Sequence, residues 1–159
     1  MISVKFPHEK SVIDDRYTDS YVKQADLLAF RDGLKSIFDY LIRHPDTIEE
    51  SLKNDYISKF LKNIYGDKRY VGVPNETRAR VDLQIHSSAS EDSPISVIIE
   101  TKRPDNPVEM ISLTGDKKNR TIDLNVRGIH ELIGYYLDIW ELGNRPEIKH
   151  LVITNGYVW

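Results

Sequence analysis

Two β-branched apolar runs constrain this chain more than anything else in it: Ile95-Ser96-Val97-Ile98-Ile99 and His150-Leu151-Val152-Ile153-Thr154. The first fits a central strand covered on both faces, and the second is another β-branched strand. Between them lies one long amphipathic pattern, about Val126 to Leu142, with Ile129, Leu132, Ile133, Tyr136, Leu137 and Trp140 apolar and Gly143-Asn144 as a stop. Two apolar strands joined through a helix suggest a parallel pair, and such crossovers are almost always right-handed. The expected class is therefore α/β with a mixed sheet.

The rest of the pattern fills in around that unit. Leu27, Phe30, Leu34, Ile37, Phe38 and Leu41 recur at helical spacing from Lys23 to Arg43, and Pro45 ends the helix. Thr47-Ile48-Glu49-Glu50 has the S/T-x-x-E form of a capping box, with Ile48, Leu52, Tyr56, Phe60 and Ile64 following at intervals of four up to Gly66. This predicts an N-terminal helical pair. Arg80 to Ile85 alternates polar and apolar, the period of a half-buried strand, and Ser87 to Pro94 reads as a turn. Arg103 to Asn125 is polar and reads as a loop. Asn155-Gly156 is a hairpin signal, and Tyr157-Val158-Trp159 reads as the start of a further strand, so the chain is expected to continue in the natural protein. Residues 1–22 are expected to be an arm, and 23–159 one domain.

With 159 residues, 40% of them hydrophobic, the chain is long enough for one core. Its 22 Lys+Arg against 25 Asp+Glu give a net charge of −3, which excludes a broad basic coat for nucleic acid or membrane. With no cysteine, disulfides, thiolate zinc sites and cysteine nucleophiles are excluded. The sequence has no apolar run of signal-peptide or bilayer length, so the expectation is a cytoplasmic protein without a membrane partner. Neither Gly-rich phosphate motif, G-x-G-x-x-G nor G-x4-G-K-[ST], is present.

Chemistry concentrates in Asp82, Glu100 and Lys102. Glu100 and Lys102, two apart at the end of a strand, point to one face, and Asp82 on the neighbouring predicted strand can reach the same spot. Converging carboxylates are the hard oxygen ligands that Mg²⁺ takes, and the Thr101 carbonyl can add another. A lysine beside them can orient water and stabilise charge on a phosphate. Glu49 and Glu50 divide by helical phase. Glu50 has a full account as the capping acid, whereas Glu49 falls between Leu52 and Phe60 on the apolar face. A carboxylate facing inward is costly unless it meets a metal, a cation or a donor, so Glu49 is the expected auxiliary metal ligand, with Glu50 as the substitute.

Asp82, then Glu100-Thr101-Lys102 after an apolar strand, resembles the signature of the PD-(D/E)xK nuclease superfamily, with Val81 where the superfamily name has Pro. Glu49-Glu50-Ser51-Leu52-Lys53-Asn54, Glu100 to Asn106 with Glu109-Met110, Arg127 to Leu132 with Tyr135-Tyr136, and His150 to Trp159 are similar, in order, to segments of the N-terminal endonuclease domain of fused type II (type IIG-like) restriction–modification enzymes. The resemblance implies a restriction-endonuclease-like core, Mg²⁺-dependent hydrolysis of double-stranded DNA, and catalysis by Asp82, Glu100 and Lys102. It also implies downstream methyltransferase and target-recognition domains in the full-length chain, S-adenosylmethionine belonging to the former. His130 stands where many relatives carry a Gln near the active site. Phosphate contacts are expected from Lys68, Arg69, Arg78, Arg80, Arg103, Lys117, Lys118 and Arg120, with Thr114 to Arg120 as a DNA-contacting loop. The alternative is a non-catalytic module of the same fold that binds DNA or a partner.

Overall fold

The computed structural model describes residues 23–72, 81–114, 121–141 and 147–159. The expected arm, residues 1–22, lies outside them. Helix α1 is Gln24–Arg43. Helix α2 runs through three consecutive pieces, α-helical Glu49–Ser51, π-helical Leu52–Ile57 and α-helical Ser58–Tyr65. Helix α3 is Arg127–Glu141. The strands are β1 (Val71–Gly72), β2 (Leu83–His86), β3 (Ile95–Thr101), β4 (Ser112–Thr114), β5 (Thr121–Asp123) and β6 (His150–Thr154).

The sheet has the order β1-β2-β3-β6. β1 to β3 pair antiparallel, whereas β3 and β6 are parallel, with Ile98 opposite Leu151 and Glu100 opposite Ile153. The sheet is therefore mixed, as expected from two apolar runs joined through a helix. Alternation along β3 divides the core. Ile99 joins Leu83 and Ile85 under α1 and α2, packed on Ile37, Leu41, Leu52, Ile57 and Phe60. Ile98 and Ile153 pack on the opposite face against Leu132 and Ile139 of α3, with Met110 and Val81. No helix among the described residues is long and apolar enough to cross a membrane.

Four local expectations give way to tertiary contacts. The capping box does not form. Helix α2 begins at Glu49 with Ile48 as its uncapped N-cap, because the Thr47 hydroxyl is 2.6 Å from the Tyr40 hydroxyl and Glu50 accepts from Lys53 and Asn54. The four-residue apolar interval does not persist either. Burial steps from Leu52 and Lys53 to Ile57 and Ser58, five residues on, which is the hydrogen-bond step of the π segment. The polar stretch 103–125 is not all loop: it holds a 3₁₀ turn, Pro107–Glu109, and the antiparallel ribbon β4–β5. Finally, Tyr157 to Trp159 form no strand. Asn155 Oδ1 accepts from the Tyr157 and Val158 N–H groups, the Thr154 hydroxyl donates to the Val158 carbonyl, and Tyr157 and Trp159 pack on Phe38 and Phe60. Gly156 makes this turn at φ +85°, where a Cβ would lie 2.7 Å from Leu41 Cδ1.

Candidate metal centre

Asp82 sits one residue before β2 rather than within a strand. Continuing the β2–β3 register would set Val81 opposite Thr101. Instead the Asp82 side chain replaces the ladder, and its Oδ2 accepts the Thr101 N–H at 2.8 Å. This bond fixes the carboxylate against the end of β3, where Glu100 projects. Glu49, in the first turn of α2, completes the group: one ligand oxygen each from Glu49, Asp82 and Glu100 lie within 4.8 Å of one another. That spacing is close enough for the three to hold a metal ion. Glu50 is not part of the group; its side chain is 66% exposed.

Lys102 follows β3, and its N–H donates to the Thr154 carbonyl. Its ammonium lies 2.5 Å from Glu100 Oε1 and 2.5 Å from Glu131 Oε2 on α3. Glu131 in turn accepts from Arg127, which also reaches Glu109 at 3.4 Å. On the opposite flank the buried Lys53, from the π segment, lies 3.2 Å from Asp82 Oδ1 and 3.0 Å from Glu50 Oε2. The Glu100 side chain is 4% exposed, yet its Oε2 has no hydrogen-bond partner among the described residues. A buried carboxylate oxygen left without a donor is costly, and a cation at this point would satisfy it.

The electrostatics follow from this crowding. Burial, reinforced by the nearby charge of Asp82, pushes Glu100 up to about 8 despite the hydrogen bond from Lys102. Burial also raises Glu49, against the pull of Lys102. For Glu131 burial acts upward, but hydrogen bonds from Lys102 and Arg127 outweigh it and hold the group below the usual carboxylate range. Burial opposes the charge on Lys102, yet hydrogen bonds to Glu100 and Glu131 raise it, so the ammonium stays charged. Tyr135 is pushed up to about 12 by burial and by the charges of Glu100 and Glu131, so its phenol keeps its proton.

Of the residues singled out in the sequence, Glu49, Asp82, Glu100, Thr101 and Lys102 meet at this point. His130 does not: it is exposed, with Nε2 3.0 Å from Asn125 Oδ1. Lys53 and Glu131 were missed. Their signals lay in helical phase, since Lys53 is four residues from Glu49 and Glu131 is four residues from Tyr135. Lys68 and Arg69 are exposed after α2, and Arg103 pairs with Asp105 at 2.6 Å. Arg78, Arg80, Lys117, Lys118 and Arg120 lie outside the described residues, as does most of the expected loop, 115–120.

The chain matches no curated protein and no solved structure. A family model described as a domain of unknown function, DUF7149, matches residues 8–159, nearly the whole chain and every element of the centre, so the chain belongs to that family.

Proposed function

We propose that this chain is the Mg²⁺-dependent endonuclease domain of a restriction–modification enzyme, with a restriction-endonuclease-like core, acting on double-stranded DNA in the cytoplasm. The observation that carries the reading is the acidic trio with the unpartnered Glu100 Oε2, set against a buried, charged lysine. Asp82 and Glu100 would hold the ion, with Glu49 as the third carboxylate. The Thr101 carbonyl is a fourth candidate oxygen, since extended backbone places it on the edge that faces Asp82. A bound Mg²⁺ would supply an activated water and polarise a phosphate oxygen. Lys102, pinned by Glu131, would then orient that water for in-line attack on a backbone phosphodiester, leaving a 3′-hydroxyl and a 5′-phosphate. The exposed Arg103 and Arg127, on the segments that carry Lys102 and Glu131, would meet the flanking phosphates.

The test is Mg²⁺-dependent nicking of supercoiled plasmid by the intact, full-length enzyme. Asp82→Ala and Lys102→Ala should each lower the rate by at least about a hundredfold; unchanged cleavage in either variant rules out the site. One observation favours a second reading, a non-catalytic module of the same kind: Lys102 is already bonded to two carboxylates, as in a structural ion pair. That module would bind Mn²⁺ no more tightly as wild type than as Asp82→Asn in calorimetry.

A further inference from the structure

Two lysines are buried among the described residues, Lys102 and Lys53. The role above absorbs Lys102 and leaves Lys53 without one. Lys53 is placed by the π segment of α2, whose wide turn carries it to the buried side next to Leu52. Its ammonium has two acceptors of opposite character. Asp82 Oδ1, at 3.2 Å, belongs to a side chain 13% exposed, and Glu50 Oε2, at 3.0 Å, to one 66% exposed. The other Asp82 oxygen, Oδ2, accepts the Thr101 N–H, so both oxygens of this carboxylate already have a donor. A cation drawn in by Glu49, Asp82 and the unpartnered Glu100 Oε2 would therefore settle on the same carboxylate that the Lys53 ammonium holds, where the two like charges repel.

Resting on the metal-centre reading above, we infer that Lys53 is a built-in competitor for the ion: its ammonium and a divalent cation contend for the Asp82 carboxylate, and Glu50 holds the ammonium when the ion wins. Competition of this kind weakens ion binding, and the strength of the Glu50 contact sets by how much. Glu50 thus acts at one remove from the site, as the acceptor that releases Asp82.

Two substitutions on the same lysine–carboxylate contact should move ion affinity in opposite directions, and the Glu50 effect should exceed that of removing an acid elsewhere on the same helix. Calorimetry of Mn²⁺ binding to the full chain should show Lys53→Met binding on the order of tenfold tighter than wild type, as the rival cation is gone. Glu50→Gln, at an exposed position that leaves folding intact, should bind about fivefold more weakly, because the ammonium then rests on Asp82 alone. Asp55→Asn removes an equal charge from the same helix without touching Lys53 and supplies the baseline. Unchanged or weaker binding by Lys53→Met, or a Glu50→Gln affinity equal to that of Asp55→Asn, overturns the inference. Equal Mn²⁺ binding by wild type and Asp82→Asn overturns the metal centre itself, a separate result.

Discussion

Replacing Glu100 with Gln should make the ion-free protein more stable, and only above a certain pH. Burial lifts the Glu100 carboxyl from an ordinary 4.5 to about 8, and the Lys102 hydrogen bond recovers only part of that. A folded-state value above the unfolded one means that the native chain holds more protons than the unfolded chain between roughly pH 4.5 and 8. Stability from this group is therefore fully present below about pH 4.5 and is lost as pH rises through about 8. At about 1.4 kcal/mol per pH unit, the gap sets a ceiling of about 5 kcal/mol. Relaxation of the site and entry of water bring this to roughly 2–3 kcal/mol. Gln has the shape of the protonated acid, keeps an acceptor for Lys102 and carries no charge to desolvate. Glu100→Gln should match wild type near about pH 5 and exceed it by roughly 5–10 °C in Tm near about pH 8.5. Thermal unfolding in chelator across that range is the assay. Glu131 and Glu50, both held below the usual range by their cations, contribute stability that is lost on the acid side. The difference between the two proteins removes that common slope. A pH-independent difference, or a variant less stable than wild type in alkali, refutes the account of Glu100.

The same proton should appear in ion binding. An ion reaching Glu100 must displace it, so Mn²⁺ affinity should rise by about tenfold per pH unit below about pH 8 and level off above it, as calorimetry at several pH values will show. Gly128→Ala should cost about 1–3 kcal/mol in urea unfolding. A Cβ there would run into the Ile153 side chain and sit 2.8 Å from the Glu109 carbonyl, forcing α3 off the sheet and Glu131 off Lys102.

How much of this was readable in advance depends on whether a signal is local. The β3 run is continuous and β-branched, as a covered inner strand requires, and the helix between it and the β6 run pointed to a parallel pair, so that pair was legible; β6 itself lies at the sheet edge, with His150 and Leu151 exposed. Strands β1, β4 and β5, two or three residues each, are too short to show a period of two, and the ribbon β4–β5 passed for loop. The capping box was a sound local motif that lost to partners elsewhere. Thr47 found a tyrosine hydroxyl seven residues back, and Glu50 found a lysine that its own helix had turned inward.

The centre divides in the same way. The Glu49 carboxylate was legible because helical phase alone turned it inward, and phase would have decided α3 as well. At about 100° per residue, Gly128, Leu132, Tyr135 and Ile139 fall on one stripe, Glu131 borders it, and His130 lies on the far side. A likeness to relatives pointed at His130, and the geometry of the helix points at Glu131. The wide turn in α2 left no such trace, because a π segment shows in a sequence only as an apolar spacing that slips from four to five. That slip sets Lys53 on Asp82, where the ion would bind. The acids of this centre are held by local pattern, and the cation that rivals the ion is held by a departure from it. Substitutions that restore a regular α-helical spacing through Leu52 to Ile57 would accordingly be expected to disturb Lys53 before they disturb Glu49.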